Sequence, residues 1–242
     1  MSAQMNAVLP ACLPDMAVTI AAIKGKKIKS VSIGAIQGGA GSYSGAIVTD
    51  AGFVKQGATS SINIGGLVEG GAGDHSGYIE VGGRLGSFTA GSLSLASIRV
   101  ANELGSLTVN GAVTVSLIVA RSEAASAGTS GPAIGTVSVA GDWTSSVLAA
   151  GISVGSDGVF GTSDDRLIAA AHPGTNVSKI ARIVIGGIVE GSSATGDHFG
   201  FVAQEIGSFS SNGNALALSN ASGQTFELGA NGDTTVREVV LG

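Results

Sequence analysis

The segment INIGGLVEG at 62–70 returns as IVIGGIVEG at 183–191, an offset of 121 residues in a chain of 242. The same offset carries LGSF at 85–88 onto IGSF at 206–209, Asn110-Gly111 onto Asn231-Gly232, and Thr114-Val115 onto Thr235-Val236. Self-similarity at a fixed offset is the mark of stacked units, because a unit too small to bury its own apolar face must bury it against the next copy.

A finer repeat lies inside the large one. The pattern apolar-Gly/Ser-Ser/Thr-apolar-polar-apolar-x-Gly runs through IKSVSIGA (28–35), TSSINIGG (59–66), LGSFTAG (85–91), LGSLTVNG (104–111), IGTVSVAG (134–141), IARIVIGG (180–187) and IGSFSSNG (206–213). The starts are 31, 26, 19, 30, 46 and 26 residues apart. Apolar and small polar residues alternate within each copy, as in Val31 and Ile33 or Leu107 and Val109, which is a strand signal. The terminal glycines permit a positive φ that a residue with a Cβ resists. Each unit is therefore expected to hold one strand, a glycine turn, a second strand such as SGYIEV (76–81) or SLSLASIRV (92–100), and a return.

The expected fold class is all-β: a single-stranded parallel β-helix, or β-solenoid, of about seven or more coils of 19–46 residues. Neighbouring coils would pair their strands in parallel at about 4.8 Å, and parallel crossovers make a right-handed coil the expectation. Irregular spacing with constant motif length predicts a fixed core and corner loops of variable size.

Composition bears on this only in part. Forty glycines, seven phenylalanines, two tyrosines and one tryptophan, Trp143, leave a core of Val, Ile, Leu and Ala. Charged residues make up 12%, about half the usual share, so helices with solvated charged faces are not expected. Four prolines without a Gly-X-Y period exclude collagen.

One repeat domain is expected over 28–242, in two related halves offset by 121 residues. Residues 1–27 lack the motif and read as an N-terminal cap, or as the start of a truncated region; they hold Pro10, Cys12, Pro14, the apolar MAVTIAAI (16–23), and Lys24, Lys26 and Lys27, with Lys29 just beyond. No basic residue precedes the apolar stretch, and Pro10, Pro14 and Asp15 interrupt it, so no clear signal peptide is read. No run of 18 apolar residues exists and aromatic girdles are lacking, so membrane insertion is not expected. One cysteine makes no internal disulfide. A net charge of −5 argues against nucleic acid, and the basic cluster at 24–29 reads as a solvated cap. At the other end, Arg237 and Glu238 would blunt a terminal strand with charge.

The stretch with most chemical content is DGVFGTSDD at 157–165. Asp157, Asp164 and Asp165 bracket a glycine-bearing loop, and hard cations such as Ca²⁺ take six to eight oxygen ligands at about 2.3–2.6 Å. Two readings stand: a Ca²⁺ loop, and a corner whose Asp and Gly residues serve turn geometry alone. The string resembles a DGxFGTxDD element of large secreted bacterial proteins with glycine-rich repeats, where it is taken as calcium-binding-like. The motif copies over 28–242 resemble the glycine-rich β-solenoid repeats of bacterial surface and secreted proteins. That resemblance implies an extracellular or cell-surface location; on the Ca²⁺ reading of the loop, Asp157, Asp164 and Asp165 are the candidate metal ligands.

GDHSG (73–77) and GDHFG (196–200) read as a repeated turn at a repeated corner, about four coils and roughly 19 Å apart, too far to share a metal. His172 stands alone, and Glu69 and Glu190 read as solvated residues beside turn glycines. Asp164 and Asp165 are adjacent, so in a strand they would point to opposite faces and make a poor acid–base pair; Arg166 follows them without a second nearby base. No nucleophile or metalloprotease motif is present, so the chain is expected not to be an enzyme. The expected function is a non-catalytic structural or adhesive rod segment whose partner is a surface polymer or a protein. Two alternatives are kept: a polysaccharide-binding or polysaccharide-cleaving β-helix, which needs convergent carboxylates or aromatics, and an ice- or surface-binding solenoid, which needs a ladder of Thr. Threonines look scattered, with no recurring Thr-x-Thr.

Overall fold

The computed structural model describes residues 22–26, 28–50, 60–121, 133–168, 177–194, 196–219, 223–229 and 232–240. These residues contain strands and no helix, hence no helix long and apolar enough to cross a membrane. Residues 1–21, most of the expected cap of 1–27 and including Cys12, lie outside the described set, as does His172.

Two large sheets carry the architecture. The first holds, in spatial order, β1 (Ala22–Gly25), β4 (Ala46–Thr49), β6 (Tyr78–Val81), β8 (Ser97–Val100), β11 (Leu117–Ala120), β14 (Val147–Ala150), β19 (Phe199–Ala203), β24 (Thr234–Glu238) and β23 (Thr225–Leu228). The second is built on the motif copies: β2 (Ser30–Ile33), β5 (Ser61–Glu69), β7 (Ser87–Ser94), β9 (Leu104–Val109), β12 (Ile134–Val139), β17 (Lys179–Ile185), β21 (Phe209–Ser211) and β22 (Asn214–Ala215). Beside them run β3 (Ile36–Gln37), β10 (Val113–Thr114), β13 (Trp143–Thr144), β18 (Val189–Glu190) and β20 (Glu205–Ile206). A separate antiparallel pair, β15 (Ile152–Ser153) and β16 (Arg166–Leu167), closes the base of the acidic loop.

Up to β24, strands join the first sheet in chain order, and the motif strands of the second sheet do the same. Every pass of the chain therefore lays a new strand in parallel beside the previous one in each sheet. The alternation read from the motif becomes columns of stacked residues. Val31, Ile62, Phe88, Leu107, Val137, Ile183 and Phe209 align one above the other, and all are buried. Ile62 and Ile183, corresponding positions of the two halves, share that column four steps apart.

The expected second strand at 92–100 is in fact two. Leu95 has φ 52° and splits the segment between β7 and β8; Val115 (φ 45°) and Ser145 (φ 46°) break the chain in the same way before β11 and β14. Left-handed backbone costs roughly 1–2 kcal/mol for a residue with a Cβ, and here hydroxyls brace the bend. Ser116 Oγ donates to the Thr114 carbonyl at 2.8 Å and accepts from Ala96 N–H at 3.2 Å, while Ser146 Oγ donates to the Thr144 carbonyl at 2.7 Å and accepts from Ser116 N–H at 2.9 Å.

Between the sheets, aromatic rings join the aliphatic core in the later passes. Trp143 stands 4.8 Å from Phe201, and Phe201 stands 4.9 Å from Phe209, ring centre to ring centre. The indole N–H of Trp143 donates to the Ser146 carbonyl at 2.9 Å, so this fully buried side chain leaves no polar atom unpaired.

β1 pairs in parallel with β4, so residues before 28 join the sheet. At the other end β24 is not an edge, because β23 covers it in antiparallel pairing, and β22 does the same to β21. Glu238 is buried, accepting from Ile206 N–H at 2.9 Å and from the Gln224 amide at 3.0 Å, so it braces the last turns and does not serve as a charged blunt edge.

Candidate functional site

The acidic loop is not an isolated corner. Ile152, Phe160 and Leu167 pack on Val119, Ala149, Val202 and Val239, so the segment 151–168 roofs the outer face of the first sheet over its later strands. Within the loop, Asp164 Oδ2 accepts from Ser156 N–H at 2.6 Å, Ser156 Oγ at 2.9 Å and Asp157 N–H at 3.3 Å, and Oδ1 accepts from Thr162 Oγ at 2.8 Å. These donors, the Thr162 and Ser156 hydroxyls foremost, hold the Asp164 carboxyl down at about 2. Asp157 accepts from Val159 N–H at 2.9 Å.

Asp165 faces the other way. It is 6% exposed, and Oδ2 accepts from Gly161 N–H at 2.7 Å while Oδ1 has no hydrogen-bond partner. Burial pushes its carboxyl up to about 6, against the pull of Gly161 N–H and Arg237. The adjacent carboxylates thus take opposite sides of the loop. A cation at Asp164 would compete with the Ser156 and Thr162 hydroxyls and the Ser156 and Asp157 N–H groups from which its oxygens already accept. Among the described residues no group of three or more His, Cys, Asp or Glu side chains is placed to hold a metal.

The two Asp-His pairs sit at the same corner of the first sheet, one residue out of register, since Tyr78 aligns through Ser97, Leu117 and Val147 with Gly200. β6 and β19 are four steps apart in the first sheet, as the spacing implies, but Gly77 precedes β6 whereas Gly200 lies inside β19. His75 Nδ1 lies 2.8 Å from Asp74 Oδ2; His198 Nδ1 instead meets the Asp233 carbonyl at 2.8 Å, beside the last strand pair. Glu69 and Glu190 do share one column at the rim of the second sheet, through Ser94, Thr114 and Thr144. A further buried charge, Arg121, is fully enclosed between Glu103, at 3.8 Å, and the Val177 carbonyl, at 3.2 Å; burial lowers its pKa while Glu103 raises it. It joins two passes internally.

Two surface features were not legible as sites in the sequence. The first lies on the outer face of the motif strands. Ser32, Asn63, Thr89, Thr108 and Ser138 form one column. Ser30, Ser61 and Ser87 begin a second, continued by Ser106, which precedes Leu107 as Ser87 precedes its partner Phe88, and by Thr136. Five successive rungs therefore carry two hydroxyl or amide groups each, about 4.8 Å apart between strands and about 6.6 Å apart along them. Among the described residues none of these ten side chains has a hydrogen-bonding partner within the chain, and none is buried. The array breaks at Arg182 and Val184. The sequence shows no recurring Thr-x-Thr, and the array is instead built of interchangeable Ser, Thr and Asn, whose signal was the polar positions of the aligned motif copies.

The second feature is on the outer face of the first sheet, on the earlier strands that the acidic loop leaves uncovered. GSYSG (41–45) and GDHSG (73–77) share the frame Gly-x-ring-Ser-Gly. Tyr43 (φ 58°) and His75 (φ 54°) are held in left-handed backbone, and their rings stack at 4.7 Å with planes 12° apart. Lys24 Nζ lies 4.5 Å over the far side of this stack, on Tyr43, and Tyr78 meets His75 edge-on at 4.8 Å. The following serines lock the corners: Ser44 Oγ accepts from Gly39 N–H at 2.7 Å, Ser76 Oγ accepts from Gly71 N–H at 2.8 Å, and the two hydroxyls lie 3.1 Å apart. Next to the stack a cavity of about 270 Å³ is lined by His75, Tyr78, Glu80, Val81, Gly82, Arg99 and Ala101. Burial, then the Glu80 charge, pushes the Tyr78 phenol up to about 12, so it is a neutral hydrogen-bonding group.

Compared with known protein families, with curated proteins and with solved structures, the chain matches none.

Proposed function

We propose that the chain is a non-catalytic rod segment of an extracellular or cell-surface protein, a closed, right-handed β-solenoid of seven or more coils that binds an ordered polymer along one side. The observation that carries this reading is the five-rung array of unpartnered hydroxyl and amide groups on the motif strands. A lattice repeating every 4.8 Å or so matches only a partner that itself repeats, so a polysaccharide surface suits it better than a small ligand. Continuous column register from Val31 to Phe209 supports the solenoid. The bacterial surface location rests on the repeat resemblance. Absence of catalysis is favoured by the engagement of Asp164 and Asp165 in opposite directions within their loop.

An ordered ice or mineral surface is the second reading, favoured by the same array. Cosedimentation with insoluble polysaccharides, alongside partitioning into growing ice, tests both. Thr108→Glu places a charge at the middle of the lattice and is expected to abolish whichever binding is found, while Arg166→Glu, on the opposite loop, leaves it intact. Binding that survives Thr108→Glu with an unchanged melting temperature refutes the assignment to this face.

A further inference from the structure

The geometry points to a second, separate site: the cavity between His75 and Arg99 binds a single neutral pyranose ring, as a free sugar or as one residue of a glycan. Glu80 and Arg99 are register partners on adjacent strands, the placement in which opposite charges usually close on one another. They make no ion pair here, and among the described residues Arg99 has no hydrogen-bond partner. Glu80 is turned toward the Tyr78 phenol two residues back on the same face. Both side chains line a cavity of about 270 Å³.

The ligand class follows from what can satisfy both groups. A hydroxyl accepts from a guanidinium N–H and donates to a carboxylate at the same time, so a polyol bridges them; an anion would meet Glu80 and a cation would meet Arg99. The wall beside them is aromatic and already fixed in place, since His75 is stacked on Tyr43 and abutted by Tyr78. A rigid ring of this kind offers an apolar surface to the C–H face of a sugar with little ordering cost. Gly82 and Ala101 keep the remaining wall low. The volume falls just under the range of about 300–1,000 Å³ typical of drug-sized ligands, which suits one ring and not an oligomer.

This site does not rest on the polymer-binding face and is tested apart from it. The full chain is titrated, by two-dimensional NMR, with the methyl glycosides of glucose, galactose, mannose and N-acetylglucosamine, and with glucuronate and glucosamine as charged controls. At least one neutral glycoside is expected to bind with Kd of about 1 mM or tighter, shifting the His75 and Tyr78 resonances, with the charged sugars at least tenfold weaker. Arg99→Ala and Glu80→Gln should each weaken binding tenfold or more at unchanged melting temperature, whereas Thr108→Glu leaves it unaffected. A free sugar and a glycan residue are separated by comparing each monomer with its β-linked trimer. Equal affinity identifies monomer recognition, and tighter trimer binding identifies a glycan, both within the proposal. Absence of shifts for every neutral glycoside, tighter binding of a charged sugar, or indifference to Arg99→Ala overturns it.

Discussion

Replacing Phe201 by Ala tests the idea that the stack is held together pass by pass. Phe201 is fully buried, 4.8 Å from Trp143 and 4.9 Å from Phe209. Truncating a buried Phe to Ala costs about 3–5 kcal/mol, and here two aromatic neighbours lose a partner, each pair being worth about 0.5–1.5 kcal/mol. The loss is therefore expected near the top of that range, about 4–5 kcal/mol. In a stacked architecture each unit touches only its neighbours, so the loss should fall on β19, β21 and β24. At about 1.4 kcal/mol per factor of ten, local opening there should rise by roughly a thousandfold. Native-state hydrogen exchange reads this directly: amides of β19, β21 and β24 lose protection, while those of β5, β7 and β9 keep theirs. Trp143, the single tryptophan of the chain, should shift its emission to the red as its packing partner disappears. A uniform loss of protection in all strands would refute the pass-by-pass picture, and a loss below about 1 kcal/mol would refute the core-filling role of the aromatic run.

Asp165 gives a pH signature of definite sign. Its carboxyl rises in the folded chain from 3.8 to about 6 through burial, with Asp157 and Asp164 adding to the rise and Gly161 N–H and Arg237 opposing it. The folded form holds the proton more tightly than the unfolded one, so this stabilisation is complete below about pH 4 and is lost as pH rises through 6, by at most about 3 kcal/mol. Urea midpoints at several pH values should show that slope in the wild type and a flatter one in Asp165→Asn; identical slopes sink the argument. Asp164, held down at about 2, acts in the opposite sense and only at lower pH. Because its oxygens are filled by the loop's own donors, calcium or a chelator should leave the melting temperature unchanged, and Asp164→Ala should speed proteolysis within 157–163. A calcium-dependent rise of several degrees that is lost when Asp157, Asp164 and Asp165 become Asn would establish the loop as a cation site instead.

The motif positions announced the stacking because parallel, in-register pairing places equivalent residues of successive copies directly together. Ile62, Phe88 and Leu107 could be aligned by eye, and the structure aligns them the same way. The extra break in three of the passes was not legible, since Leu95, Val115 and Ser145 take left-handed backbone without being glycine and the bracing hydroxyls come from neighbouring positions. The Tyr43–His75 stack was hidden for another reason. An Asp next to a His draws attention to metals, while the shared Gly-x-ring-Ser-Gly frame, 32 residues apart, was the informative signal. The hydroxyl array escaped because Ser, Thr and Asn are different letters with the same hydrogen-bonding use. Nothing near Asp165 in the chain predicts its burial: Arg237 and the Val202 strand that face it are brought there by later passes.

Corner length and core register are decoupled in this molecule, and that makes it a natural acceptor of grafted sequence. The step from Leu107 back to Phe88 spans 19 residues and the step from Ile183 back to Val137 spans 46, yet each is one strand spacing in the same ladder. Lengthening a flexible closure from 19 to 46 residues adds roughly 0.8 kcal/mol of entropy cost, since that cost grows only with the logarithm of length. Evolution can therefore trial whole new appendages on one pass while the neighbouring passes go on folding as before.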